Sequence, residues 1–80
     1  MKAIVTIRRR ENIADPEGST IRRALGDLGF ADVRAVRVNR TIELDLQAED
    51  REAAAAQARA MCDRLLVNPV MEDFDIEIVT

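Results

Sequence analysis

The sequence predicts an α+β fold, a two-layer sandwich in which two helices cover one face of an antiparallel sheet. Four short segments alternate apolar and polar residues, as strands with one buried face do. Two segments between them carry apolar residues at helical spacing, so that the order of elements is β-α-β-β-α-β. A chain of 80 residues suits one domain with a small core, and we expect residues 1–80 to form it.

The first strand is predicted over residues 2–8, where apolar and mostly polar residues alternate. Its inward side chains are Ala3, Val5 and Ile7. The first helix follows over residues 16–28. Asp15 can accept hydrogen bonds from free N–H groups of the first turn, Pro16 gives up a donor that has no partner there, and Gly29 favours the left-handed conformation that ends a helix. The apolar stripe of this helix consists of Ile21, Ala24, Leu25 and Leu28.

A tight hairpin is predicted around Asn39 and Arg40. Apolar and polar residues alternate on both sides of this pair, and asparagine tolerates the positive φ of a tight turn. The second and third strands should therefore run antiparallel. Their inward side chains would be Val36, Val38, Ile42, Leu44 and Leu46. On the outer face, Arg37 can pair across the hairpin with Glu43 or Asp45.

The second helix is predicted from a cap at Asp50 to about Val67, where Asn68 and Pro69 end it. Its buried stripe would consist of Ala54, Ala58, Met61, Cys62 and Leu65. The last strand would turn three apolar residues inward, namely Phe74, Ile76 and Ile78. Because each β-α-β crossover is right-handed, both helices should lie on one face of the sheet, which is the ferredoxin-like arrangement.

The composition argues against several functions. Cys62 is the only cysteine and the chain has no histidine. An internal disulfide is thereby excluded, and the commonest general base and metal ligand are missing. We recognise no catalytic residue, no cofactor-binding motif and no metal-ligand spacing. No apolar run approaches the roughly 20 residues of a membrane span, and the first apolar run is too short for a signal peptide, so we expect a cytoplasmic protein.

The net charge of −3 is unevenly distributed. Residues 1–40 carry nine basic and five acidic side chains, whereas residues 41–80 carry three and ten. This polarity can orient a partner or favour self-association, or the charges can simply solvate outer faces. Nucleic-acid binding is not expected, because the chain has two phenylalanines, no tyrosine and no tryptophan with which to stack bases.

Two features of the sequence are candidate sites. Cys62 has no histidine to activate it and falls on the apolar stripe, so we expect it to pack in the core. Residues 8–10, three consecutive arginines, lead into a loop that ends at a helix N-terminus, which can hold a phosphate or a carboxylate. That loop contains one glycine, Gly18, and matches no nucleotide-binding motif, so protein contact and plain solvation remain as alternatives.

Three stretches of the chain resemble the PurS family, the small subunit of phosphoribosylformylglycinamidine synthase in bacteria and archaea. They are ADPEGSTIRRALGDLGF, VRAVRVNRTIEL and MCDRLLVNPVMEDFDIEI. The last is similar, almost position for position, to the family pattern M-C-x-x-L-L-x-N-x-V-x-E-D-[FY]. The resemblance covers essentially the whole chain. One departure is Asn39, where many relatives have a glycine that serves the same backbone need.

The resemblance implies a non-catalytic subunit of purine biosynthesis. In such complexes the synthetase subunit PurL uses ATP, with Mg, to activate formylglycinamide ribonucleotide, and the glutaminase subunit PurQ releases ammonia from glutamine. PurS joins the two subunits and helps ammonia to pass between them, without a cofactor of its own. The implied partners are therefore PurL, PurQ and further copies of the chain in a dimer or tetramer, with no nucleic acid and no membrane.

Partner contacts are expected at exposed charged and polar residues. The candidates are Arg8, Arg9, Arg10, Asn39, Arg40, Asn68, Glu72 and Asp73. Self-association is expected at the sheet edges and the alanine-rich helix. The alternative function is a stand-alone ACT-like regulatory domain that binds a small molecule. Such domains share the order of elements and a D-P-G-like turn, although here Glu17 separates Pro16 from Gly18.

Overall fold

A computed structural model describes all 80 residues. The elements are β1 (Lys2–Arg9), α1 (Pro16–Asp27), β2 (Arg40–Asp45), α2 (Arg51–Met61), a π-helical turn (Cys62–Leu66) and β3 (Glu72–Val79). The three strands form one antiparallel sheet in the order β2-β1-β3. The predicted α+β class, with two helices and an antiparallel sheet, is confirmed.

The core lies between the sheet and α2. The inward side chains of the central strand, Ala3, Val5 and Ile7, are at most 2% exposed. Ala54 and Ala58 of α2 are fully buried and bring the helix close to the sheet, since alanine leaves little between the two backbones. Half-buried residues of β2 and β3 complete this core, among them Leu44, Ile76 and Phe74.

The π-helical turn changes which leucine faces the core. Val67 N–H donates to the carbonyl of Cys62, five residues back, so the helix is wider here than an α-helix. Because the wider turn contains more residues, the residues after it face other directions than they would in an α-helix. Leu65, predicted to be buried, is 83% exposed, whereas Leu66 packs beside Cys62.

The predicted second strand is wrong. Residues 33–39 pair with no strand, and Asn39 has no positive φ. Val36 and Val38 before Asn39 and Ile42 and Leu44 after it have even numbers, as they would on one face of an uninterrupted strand. A two-residue turn at Asn39 and Arg40 would pair Val38 with Thr41 and turn the valines to the outer face.

Instead, the chain before β2 runs on past the end of β1. Ile7 pairs with Arg40 in the sheet, and the same register extended by three residues would place Arg37 beside Arg10. The Arg37 guanidinium does bind the Arg10 carbonyl, at 2.9 Å. We call residues 15–39, which include α1, the arm. It gives the chain its long dimension of 51 Å, against 26 and 14 Å in the other directions.

Helix α1 belongs to the arm and does not cover the sheet. Gly18 is its only buried residue. Asp15 holds the helix to the returning chain, because its carboxylate accepts from Gly18 N–H at 2.9 Å and from Val38 N–H at 2.8 Å. Leu28, beyond the end of α1, is 74% exposed, and Phe30 is 59% exposed.

Candidate functional site: one charged end of the sheet

The structure brings the eight predicted contact residues together at one end of the sheet. β1 is antiparallel to both neighbours, so its last residues meet the first residues of β2 and β3. Arg8 lies opposite Asp73, and Arg9 lies opposite Glu72. Arg10 and the turn at residues 68–71 complete this surface, which we call the charged end. Whether these residues bind a partner stays a prediction.

Ion pairs organise the part of the charged end that borders β3. Arg8 reaches Asp75 at 2.6 Å and Arg10 reaches Asp73 at 3.4 Å. Arg10 also donates to the carbonyl of Pro69 at 2.8 Å. These side chains are 42–68% exposed, so water and salt screen the pairs and they contribute little to stability. Their effect is to fix the pattern of charge at the surface.

Glu72 links the turn before β3 to the start of β2. Its carboxylate accepts from Asn68 N–H at 2.9 Å and from the Arg40 guanidinium at 3.0 Å. The backbone hydrogen bond, more than the Arg40 charge, lowers the pKa of Glu72 below its ordinary value. The Asn68 side chain accepts from Val70 N–H at 3.0 Å. The Glu72 carboxylate and the Asn68 carboxamide thus each accept one backbone hydrogen bond, and these two bonds define the shape of the turn.

Arg9 and Arg37 have no carboxylate within 4 Å. The carbonyl of Ala14 holds Arg9 at 2.9 Å, and loop carbonyls, the shortest at 2.9 Å, hold Arg37. With Asn39 and other residues of the charged end they line an open cavity of about 550 Å³ that contains no apolar side chain. Guanidinium groups fixed in this way can receive an acidic group of a binding partner.

Arg37 was not among the predicted contact residues. The hairpin interpretation placed it on the outer face of the sheet, across from Glu43 or Asp45. Its true neighbour, Arg10, follows only when the chain continues straight through Asn39. The even spacing of the valines before Asn39 and of Ile42 after it was the signal that could have shown this.

Cys62 is part of the core, as predicted. It is fully buried and packs with Val5, Ile7 and Val67. Burial raises the pKa of the thiol, and the nearby charge of Asp63 acts in the same direction. The thiol therefore stays protonated near neutral pH, the form that is a poor nucleophile.

The structure contains no group of three or more acidic, cysteine or histidine side chains placed to hold a metal ion. Its helices are all too short or too polar to cross a bilayer.

The comparisons with known proteins place the chain in one family. Residues 2–80 match the family model PurS, described as phosphoribosylformylglycinamidine (FGAM) synthase. The chain belongs to the PurS family. The resemblance noted in the sequence is thus confirmed, and with it the prediction of a PurS subunit of FGAM synthase in purine biosynthesis.

Curated PurS subunits are similar over nearly their full length. The chain is 40% identical to the PurS subunit of FGAM synthase from Archaeoglobus fulgidus over 76 residues, which cover 95% of each chain. It is 32% identical to the Bacillus subtilis PurS subunit over 77 residues, covering 96% of this chain and 90% of the relative.

Solved PurS structures share the fold. The crystal structure of Methanocaldococcus jannaschii PurS, 38% identical, superposes with a TM-score of 0.85 over 95% of this chain and 92% of the other. A chain of the Thermotoga maritima PurLQS structure, 34% identical, superposes with a TM-score of 0.86 over 95% of this chain and 93% of the other. Superpositions of this extent include the arm as well as the sheet.

Proposed function

We propose that this chain is a non-catalytic scaffold within FGAM synthase. It bridges a PurL synthetase subunit and a PurQ glutaminase subunit and assists the transfer of ammonia between them. It is similar to a chain of the Thermotoga maritima PurLQS structure, which contains all three kinds of subunit. ATP, Mg and glutamine are used by the partner subunits, and this chain needs no cofactor. The complex works in the cytoplasm.

The observation that carries the proposal is the charged end. The predicted contact residues come from three separate parts of the sequence and converge on one exposed surface. A rigid turn and fixed guanidinium groups reduce the entropy that the surface loses when a partner binds. We propose this surface as the contact with the synthetase or the glutaminase, and the uncovered parts of the chain as the contact with further copies in a dimer or tetramer.

Reconstitution tests the scaffold role. Purified PurL and PurQ are assayed for FGAM formation with glutamine or with ammonium salt, with and without this chain. We expect the chain to be required with glutamine but not with high ammonium, because only glutamine requires the two subunits to be joined. Equal glutamine-dependent turnover without the chain would refute the proposal.

A pair of charge reversals tests the surface. Arg10→Glu lies at the charged end, and Lys2→Glu lies at the opposite end of β1, where Lys2 pairs with Glu43 at 3.6 Å. We expect Arg10→Glu to weaken binding to a partner subunit at least tenfold and Lys2→Glu to change it less than twofold. Equal effects would show that the charged end is not the contact.

The ACT-like alternative is not favoured by the comparisons. A thermal shift against amino acids and nucleotides tests it directly. A ligand at 100 times its dissociation constant would add about 2.7 kcal/mol to the stability of such a domain. We expect no shift with any free metabolite.

A further inference from the structure

The strand β3 has one edge that pairs with no other strand. It bonds to β1 on one side and lies at the border of the sheet on the other. The pairing of β1 with β2 shows which residues face that free edge. Met1 and Leu46, just before β1 and just after β2, exchange both backbone hydrogen bonds, at 3.0 and 2.7 Å. Because bonded and non-bonded pairs alternate in an antiparallel ladder, the odd-numbered residues of β1 bond to β2 and the even-numbered ones to β3.

The even-numbered residues of β3 therefore point their backbone groups to the free edge. The even-numbered residues of β1 lie opposite odd-numbered residues of β3, which use their N–H and C=O groups on β1. Phe74 and Ile76 turn these groups outward instead. Arg51 donates to the carbonyl of Ile78 at 2.9 Å, which agrees with this alternation and closes the far end of the edge. The backbone at Phe74 and Ile76 is left without a bonding partner in the chain.

This edge lacks the features by which proteins block the pairing of further strands. β3 contains no proline, no lysine and no glycine. No bulge interrupts its register with β1, which is continuous from Arg9 opposite Glu72 to Lys2 opposite Val79. The half-buried side chains of β3 carry the apolar inner face out to the border of the sheet. A regular edge of this kind is a template to which an extended segment can add.

A second copy of β3 does not fit the free edge. When two β3 strands run antiparallel about Asp75, Asp75 lies opposite itself and Asp73 lies opposite Glu77. A shift by two residues keeps the apolar side chains on the inner face, but it still sets Asp75 opposite Asp73 or Glu77. Like charges directly opposite each other destabilise a sheet. The outer face of β3 thus disfavours its own copies and favours a strand of the other charge.

We infer that a strand of PurL or PurQ adds to the free edge of β3. On the inner face this strand places apolar residues beside Phe74 and Ile76, and on the outer face it places a basic residue beside Glu77. Glu77 has no cation within 4 Å, whereas Asp73 and Asp75 already pair with arginines. The inference rests on the scaffold role proposed above and names the manner of contact. β3 begins at the charged end, so the added strand continues the surface proposed there.

Amide hydrogen exchange tests strand addition residue by residue. The isotope-labelled chain is placed in deuterated water alone, with PurL, with PurQ and with both, and the amide protons that remain are read by NMR. We expect exchange at Phe74 and Ile76 to slow at least tenfold in a sample that contains the partner. The amides of Asp75 and Glu77 are the internal control, because they bond to β1 and should exchange slowly in every sample.

Two results would overturn the inference. Phe74 and Ile76 could exchange as fast in a complex that supports glutamine-dependent synthesis as in the free chain, in which case the scaffold role stands and strand addition is wrong. Both amides could instead be protected in the chain alone, which would show that a copy of the chain occupies the edge.

A pair of charge reversals tests the chemistry of the added strand. Glu77→Lys changes the exposed carboxylate on β3, and Glu49→Lys makes the same change in the exposed loop before α2. We expect Glu77→Lys to weaken binding of the subunit that protects the edge at least tenfold and Glu49→Lys to change it less than twofold. Equal effects would show that the added strand does not present a basic residue to Glu77.

Discussion

The sheet with α2 and the arm with α1 are held together in different ways. In the sheet, each inward residue of β1 is fully or almost fully buried, and Ala54 and Ala58 of α2 pack directly on it. In the arm, the apolar stripe of α1 is largely exposed. The helix is held by hydrogen bonds to Asp15, by a hydrogen bond from Arg22 to the carbonyl of Val33 and by a close backbone approach at Gly18. Apolar burial therefore stabilises the sheet with α2, whereas hydrogen bonds and close backbone packing hold the arm in its shape.

This difference shows what each region contributes. A sheet stabilised by its own core holds the part of the charged end that comes from β1, β2 and the turn before β3, while the arm adds Arg37 and Asn39 to it. An arm held mainly by polar contacts at its base keeps its apolar stripe available to another chain. Substitutions of the same type in the two regions should therefore have unequal effects.

The largest difference is expected between two isoleucines. Ile7 is 2% exposed in the core, and Ile7→Ala should cost about 2–5 kcal/mol of unfolding free energy. Ile21 is 39% exposed on α1, and Ile21→Ala should cost less than about 1 kcal/mol. Urea unfolding at a dilution where the protein is monomeric measures both. Equal losses would mean that α1 is packed within the single chain, which contradicts the comparison.

Two glycines of α1 give the next effect. A Cβ added at Gly18 would overlap the carbonyl oxygen of Val36, so Gly18→Ala must push the returning chain away from the helix. We expect a loss of about 1–3 kcal/mol. Gly26 has open space around it, and Gly26→Ala should stabilise the helix by up to about 1 kcal/mol. Thermal unfolding of the two variants should therefore shift in opposite directions.

Cys62 tests the core without adding a charge. Its side chain is fully buried, so Cys62→Ala should cost about 1–2 kcal/mol and leave glutamine-dependent synthesis in the reconstituted complex intact. In the native wild-type protein the thiol should react with a disulfide reagent far more slowly than in the urea-unfolded chain. A folded Cys62→Ala protein that no longer supports synthesis would give this thiol a role that its burial argues against.

Much of the sheet half was predictable from periodicity and capping. Residues 2–8 were expected as a strand and β1 spans Lys2–Arg9, while Asp15 and Asp50 cap the two helices as expected. These features depend on neighbours in sequence. The exposure of Leu65 was not predictable in this way, because it results from a π-helical turn, and that turn depends on how the end of the helix meets the sheet.

The path of the arm was mispredicted because Asn39 is a strong local turn signal. A two-residue turn at this position would put Val36 and Val38 on the outer face of the sheet, which is the wrong face for two valines. The same error hid the position of Arg37 at the charged end. The spacing of Val36, Val38 and Ile42 indicates a straight path through Asn39, but the register that places Arg37 beside Arg10 is set by pairing across the sheet, which is a tertiary property.

The smallest effect depends on pH and concerns Asp15, which joins α1 to the returning chain at the start of the arm. The Asp15 side chain accepts hydrogen bonds from the backbone N–H groups of Val38 and Gly18, and these bonds lower the pKa of its carboxyl below the ordinary value. The positive charges of Arg9 and Arg37 lower this pKa further, whereas burial acts in the opposite direction. A carboxyl with a lowered pKa contributes its full stabilisation above its unfolded-state pKa of about 3.9 and loses it as the pH falls through the lower folded-state value. The amide proton shifts of Gly18 and Val38 should therefore stay constant from pH 7 to about 5 and move together below about 3.9, with one midpoint. In Asp15→Asn this joint step should be absent. A midpoint above the ordinary carboxyl value, or two amides that titrate separately, would show that Asp15 does not hold the helix and the returning chain together, and the arm would then lack the polar joint that distinguishes it from the sheet.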